Sequence, residues 1–78
     1  MTFEEFNKKV KKDIQSLPNN WRYGQKVFNY IDANFMYIAR DVQMIDGIDC
    51  FYDDSVVDEF IIRSYERIKN VESDETRD

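Results

Sequence analysis

Few residues of this chain could carry chemistry, and the missing types narrow its function more than those present. Among 78 residues there is no histidine, Cys50 is the only cysteine, and Gly24 and Gly47 are the only glycines. Nucleophilic attack by Cys50, Ser16, Ser55 or Ser64 therefore has no histidine base to activate it. General acid–base work is left to carboxylate pairs, with no pocket legible in the pattern to desolvate them. Two isolated glycines cannot build a phosphate-cradling loop. An internal disulfide and a Cys/His zinc site are both excluded by the cysteine count. Cys50 lies between Asp49 and Phe51, where acidic neighbours discourage the thiolate, so burial as a small hydrophobe is expected. The chain reads as a binding protein rather than an enzyme, with no cofactor.

Asp46, Asp49, Asp53 and Asp54 raise the question of a divalent metal. Gly47 would be the sixth position of an EF-hand loop only if Val42 were the first, and valine cannot ligate calcium. No metal site is expected.

Charge is the most informative feature. The formal charge of −5 conceals a division into +3 over residues 1–40 and −8 over residues 41–78. The basic share concentrates in Lys8, Lys9, Lys11 and Lys12. The acidic share concentrates in Asp41, Asp46, Asp49, Asp53, Asp54, Asp58 and Glu59, with no lysine or arginine between Arg40 and Arg63. As ordinary surface chemistry, Lys11 and Lys12 complement the negative end of a first helix, and Asp54 and Asp58 complement the positive end of a last one. As function, seven carboxylates within 19 residues could imitate a phosphate array and dock on the basic groove of a nucleic-acid-binding protein, with electrostatic steering of the encounter. The alternative places nucleic-acid backbone against the four lysines, a reading that the negative total charge opposes. A third alternative is a structural, self-assembling module, and a homodimer is compatible with the short chain.

The elements that must position these groups follow from periodicity. Thr2 and Glu5 form a capping-box pair that starts a helix. Phe3, Phe6, Val10, Ile14 and Leu17 then share a face, and Pro18 ends the helix. Asn19 and Asn20 are expected to cap a second helix. Its seam runs through Trp21, Gly24, Phe28, Ile31, Phe35, Ile38, Val42 and Ile45, either as one long helix or as two broken near Asn34. Tyr23, Tyr30 and Tyr37 recur every seven residues, which on a continuous helix aligns them as an aromatic stripe. Such a stripe either packs on a neighbour or anchors a partner. Arg22, Gln25 and Asn29 lie close by and are expected to hydrogen-bond the 46–54 loop. After the Asp46-Gly47 turn, Ile48 to Asp54 reads as an ordered loop or extended stretch. Asp54 or Ser55 then caps a last helix with Val57, Phe60, Ile61, Ser64, Ile68 and Val71 on its buried face. The expected fold is all-α: a compact bundle of three to four short helices over residues 1–71, without a β-sheet, followed by a disordered acidic tail at 72–78. The first ten residues lack a signal-peptide pattern, no apolar run is long enough for a membrane span, and the lone thiol fits a reducing cytoplasm.

The motif Trp21, Arg22, Gly24, Gln25, Phe28, Asn29, followed by Asp49, Cys50, Phe51, Tyr52, Asp53, Asp54 and Phe60, resembles a pattern in small uncharacterised proteins of bacteriophages and bacterial mobile elements. The resemblance covers the central half of the chain. It implies a source rather than a mechanism: phage accessory proteins of this size often bind and inhibit a host factor, which would place the protein in the host cytoplasm.

Overall fold

The computed structural model describes residues 1–77, with side chains through residue 71. Four helices make up an all-α fold: α1 (Phe3–Asp13), α2 (Tyr23–Asn34), α3 (Ile38–Met44) and α4 (Val57–Arg77), with no strand among the described residues. No helix is long and apolar enough to cross a membrane. The expected tail at 72–78 lies outside the residues whose side chains are described.

The capping box opens α1 as expected. Thr2 Oγ1 accepts from the Glu5 amide at 3.2 Å, and Glu5 Oε1 accepts from the Thr2 amide at 2.9 Å, so two orphan donors satisfy each other's partners. Those bonds hold the Glu5 carboxyl below its usual range. The helix tightens into a 3-10 turn at Ile14–Ser16 before Pro18, where proline forbids further helix.

The start of α2 departs from expectation. Asn19 and Asn20 sit in a turn closed by the Trp21 amide on the Pro18 carbonyl at 3.1 Å, and the helix begins only at Tyr23, with Arg22 at the cap position. Arginine has no acceptor to offer an orphan amide. Gln25 Oε1 takes the Arg22 amide at 3.4 Å, and a second acceptor comes from 30 residues away, as described below.

The seam does not produce one long helix. α2 ends where Asn34 Nδ2 donates to the Tyr30 carbonyl at 2.8 Å, and Tyr37 enters α3 with φ +69°, a left-handed conformation. α3 folds back on α2 and also packs on α4. The core takes Phe6, Val10 and Ile14 from α1, Val27, Phe28, Tyr30 and Ile31 from α2, Ile38, Ala39 and Val42 from α3, and Val57, Phe60, Ile61 and Ile68 from α4. Three expected core positions fall outside it: Trp21, half-buried, precedes α2, Ile45, 70 % exposed, lies where the chain leaves α3, and Val71 is likewise exposed. α4 is entered through a 3-10 turn, Asp54–Val56, capped by Asp53 rather than by Asp54 or Ser55. Asp54 is turned elsewhere.

Candidate functional site

The segment between α3 and α4 is the part of the surface where charge, aromatic rings and ordered irregular backbone coincide. It is tied to the N-terminus of α2 by a set of close contacts. Asp54 Oδ1 accepts from the Gly24 amide at 2.8 Å, supplying the cap that Arg22 cannot. Cys50 Sγ donates to the Gly24 carbonyl at 3.3 Å, and the Arg22 guanidinium donates to the Phe51 carbonyl. Gly24 is required by this approach, because a Cβ there would stand 1.9 Å from the Cys50 carbonyl oxygen and 2.7 Å from Asp54 Oδ1. Burial, with the nearby Asp49 charge, pushes the Cys50 thiol up to about 12. It is a packed donor and not a nucleophile.

The carboxylates of this region divide by what holds them. Asp46 is paired bidentately with Arg67, Oδ1 to Nη2 at 2.9 Å and Oδ2 to Nε at 3.1 Å, and this partner holds its carboxyl below the usual range. Asp58 lies 3.7 Å from Lys11. Asp49 accepts from the Phe51 amide at 2.9 Å, and Asp53 accepts from the Ser55 hydroxyl at 2.6 Å and the Ser55 amide at 3.0 Å, bonds that lower its pKa. Asp49, Asp53 and Asp54 are thus fixed by neutral donors, which orient a carboxylate without cancelling its charge. Glu59 is exposed in the first turn of α4, and Asp41 is half-buried in α3. Among the described residues no group of three or more Asp, Glu or Cys is placed to hold a metal ion.

A ladder of rings carries Tyr52 into this acidic turn. Phe60, fully buried, packs on Phe28 with centroids 5.7 Å apart; Phe28 meets Phe51 edge-on at 5.6 Å, and Phe51 meets Tyr52 at 4.8 Å. Tyr52 itself is 72 % exposed. It forms one wall of an open groove of about 340 Å³ between α2, α3 and the loop, whose lining includes Phe28, Asn29, Arg40, Met44 and Phe51.

The aromatic stripe expected from Tyr23, Tyr30 and Tyr37 does not exist, because the helix that would align it ends at Asn34. Tyr30 is buried, and its hydroxyl donates to Asp13 Oδ2 at 2.6 Å. Tyr23 stands at the first turn of α2 beside Lys11 and Lys26, and Tyr37 is exposed at the helix break. The lysines of α1 are not a free array either: Lys9 pairs with Asp13 at 3.1 Å and Lys11 with Asp58, while Lys8 and Lys12 are exposed. Of the residues expected to hold the loop, Arg22 does so directly, Gln25 caps its own helix, and Asn29 lines the groove.

Sequence reasoning passed over Tyr52. Its signal was an aromatic residue placed directly before the Asp53-Asp54 pair in a stretch without helical periodicity, where a ring is free of core duty. Comparison with protein-family models, curated proteins and solved structures gave no match.

Proposed function

We propose that this chain is a small, non-enzymatic protein-binding module whose contact face is Tyr52 with the carboxylates of its own loop, Asp49, Asp53 and Asp54, extended by Glu59 in the first turn of α4. The observation that supports this reading most is the mounting of Tyr52. An exposed tyrosine set on a ladder of packed rings has already lost most of the freedom that binding would remove, which is what an interface anchor requires. The neighbouring carboxylates keep their charge, so the complementary partner is a basic protein surface, of which the groove of a nucleic-acid-binding protein is the common kind. The resemblance to phage and mobile-element proteins supplies a host factor as that partner, with inhibition by occupation of its groove in the host cytoplasm.

The test is capture from a bacterial lysate with the wild-type chain and with Tyr52→Ala, followed by affinity measurement on whatever protein is retained. Tyr52→Ala should weaken that complex by about 2 kcal/mol, roughly thirtyfold. Glu59→Gln should slow association and flatten its salt dependence. A partner bound equally by both variants removes this face from consideration.

A further inference from the structure

The break between α2 and α3 follows the Asn34 cap, but no glycine or proline enforces it. Phe35, Met36 and Tyr37 include neither glycine nor proline, yet Tyr37 is held at φ +69°, a region that costs a residue with a side chain and that few adopt outside strained turns. Phe35 packs edge-on against Phe6 at 5.7 Å, and the same residue stays on the apolar side of a straight helix; Met36, 74 % exposed, and Tyr37, 64 % exposed, gain little packing from the bend. Asp32 and Arg40 reach across it in an ion pair of 3.3 Å, on a surface where such pairs contribute little.

The apolar pattern, meanwhile, ignores the break. At about 100° per residue, Gly24, Val27, Phe28, Ile31, Phe35, Ile38, Ala39, Val42 and Ile45 would all fall within an arc about 120° wide on one uninterrupted helix. That is the stripe of a helix buried along its whole length, and it would return Ile45, now exposed, to the apolar side. A short, strained hinge between two halves whose patterns are in register is the circumstance in which identical chains exchange halves.

We infer that the α2–α3 hinge opens, residues 23–44 run as one helix, and two copies of this chain exchange their α3–α4 halves in a domain-swapped dimer. Each contact between the halves re-forms in trans: Asp54 of one copy caps Gly24 of the other, and each Cys50 thiol meets the other copy's Gly24 carbonyl. The monomer and the dimer therefore share one core and differ at the hinge. The Tyr37 strain is released in the dimer, and the Asp32–Arg40 pair is lost there, since eight residues of helix separate the two groups by about 12 Å.

The experiment measures mass by light scattering after gel filtration, from micromolar to millimolar protein, for the wild type, Tyr37→Gly, and Asp32→Asn combined with Asn34→Ala. Glycine is at ease in the left-handed bend and poor within a helix, so Tyr37→Gly should lower the dimer association constant by about fivefold or more. The double variant removes the cross-hinge pair and the Asn34 cap, and should raise it. Spin labels on Asn29→Cys and Met44→Cys, with labelled chains diluted into unlabelled ones, separate a swap from surface contact; buried Cys50 stays in place. In the bent chain both positions line one groove. In the fused helix they stand about 22 Å apart along the axis. A dimer showing the long distance, and responding to both hinge variants in the stated directions, supports the exchange. It is overturned by a dimer that keeps the short distance, by one indifferent to the hinge variants, or by a wild-type monomer at every concentration.

Discussion

Replacing Gly24 by alanine tests whether the loop docking described here holds the fold together. A methyl group there would lie 1.9 Å from the Cys50 carbonyl oxygen and 3.0 Å from its carbon. Both are backbone atoms and cannot rotate aside, so the 49–54 segment must lift from α2. Lifting forfeits the Asp54 cap on the Gly24 amide, a charged hydrogen bond of about 1.5–3 kcal/mol, and the Cys50 thiol bond to the Gly24 carbonyl, about 0.5–1 kcal/mol. The Arg22 bond to the Phe51 carbonyl adds a further fraction of this. Alanine in place of glycine returns at most about 1 kcal/mol of helix propensity. The net loss is about 2–4 kcal/mol, which in a domain of this size lowers Tm by roughly 10–30 °C. Gly47→Ala is the control: its Cβ would meet nothing within 4 Å, and only the φ of +73° penalises it, by about 1–2 kcal/mol. Urea unfolding of the three proteins at neutral pH decides the matter. If Gly24→Ala is as stable as the wild type, or gains the propensity increment, the docking of the loop on α2 does not carry the stability assigned to it.

Ser64 is fully buried in α4, and its hydroxyl has no partner among the described residues; Ser64→Ala should raise stability by about 1 kcal/mol, read by urea titration, and a loss would reveal a partner for the hydroxyl. At high pH, Tyr30, raised from 10.0 to about 12 by burial and its bond to Asp13, and Cys50, raised from 9.0 to about 12, keep protons in the fold that the unfolded chain releases. Their contribution is complete below pH 9 and is lost as pH climbs from 9 towards 12, and Cys50→Ala should delay the onset of that loss to about pH 10. Denaturant titrations across this range with an unchanged onset would refute the assignment. At low pH the sign reverses. Asp13, held down chiefly by its bond from Tyr30, and Asp46, held down chiefly by Arg67, add stability above the ordinary carboxyl range. That stability disappears as pH falls through their lowered values, so Tyr30→Phe should shift the acid transition seen by circular dichroism to higher pH.

Local features of the fold were legible in the residue order. The Thr2/Glu5 box, the Pro18 stop and the buried faces of α1 and α4 depend on neighbours within one or two turns, so propensity and a 3.6-residue period suffice to place them. Cys50 could be assigned to the interior from its type and neighbours. The acidic bias between Arg40 and Arg63 is likewise a property of composition. Its consequence for the surface is not, because only the fold decides that Asp46 meets Arg67 while Asp49, Asp53 and Asp54 are held by amides and a hydroxyl.

Tertiary contact decided the rest. The pattern from Trp21 to Ile45 is equally consistent with a straight helix and a bent one, since an apolar stripe records that a face is buried but not which neighbour buries it. Folding α3 back lets both α2 and α4 cover it in a single chain, and that choice dissolved the tyrosine stripe. Likewise, the only local signal that starts α2 at Tyr23 is half a capping box, Gln25 on the Arg22 amide. Its cap arrives from Asp54 across 30 residues, possible only because Gly24 leaves room for the backbone of another segment. Sequence alone therefore determined which residues are apolar, charged or helix-forming. The fold determined which of them meet, because a hydrogen bond or a packed ring depends on distances of a few ångströms that separation along the chain does not encode.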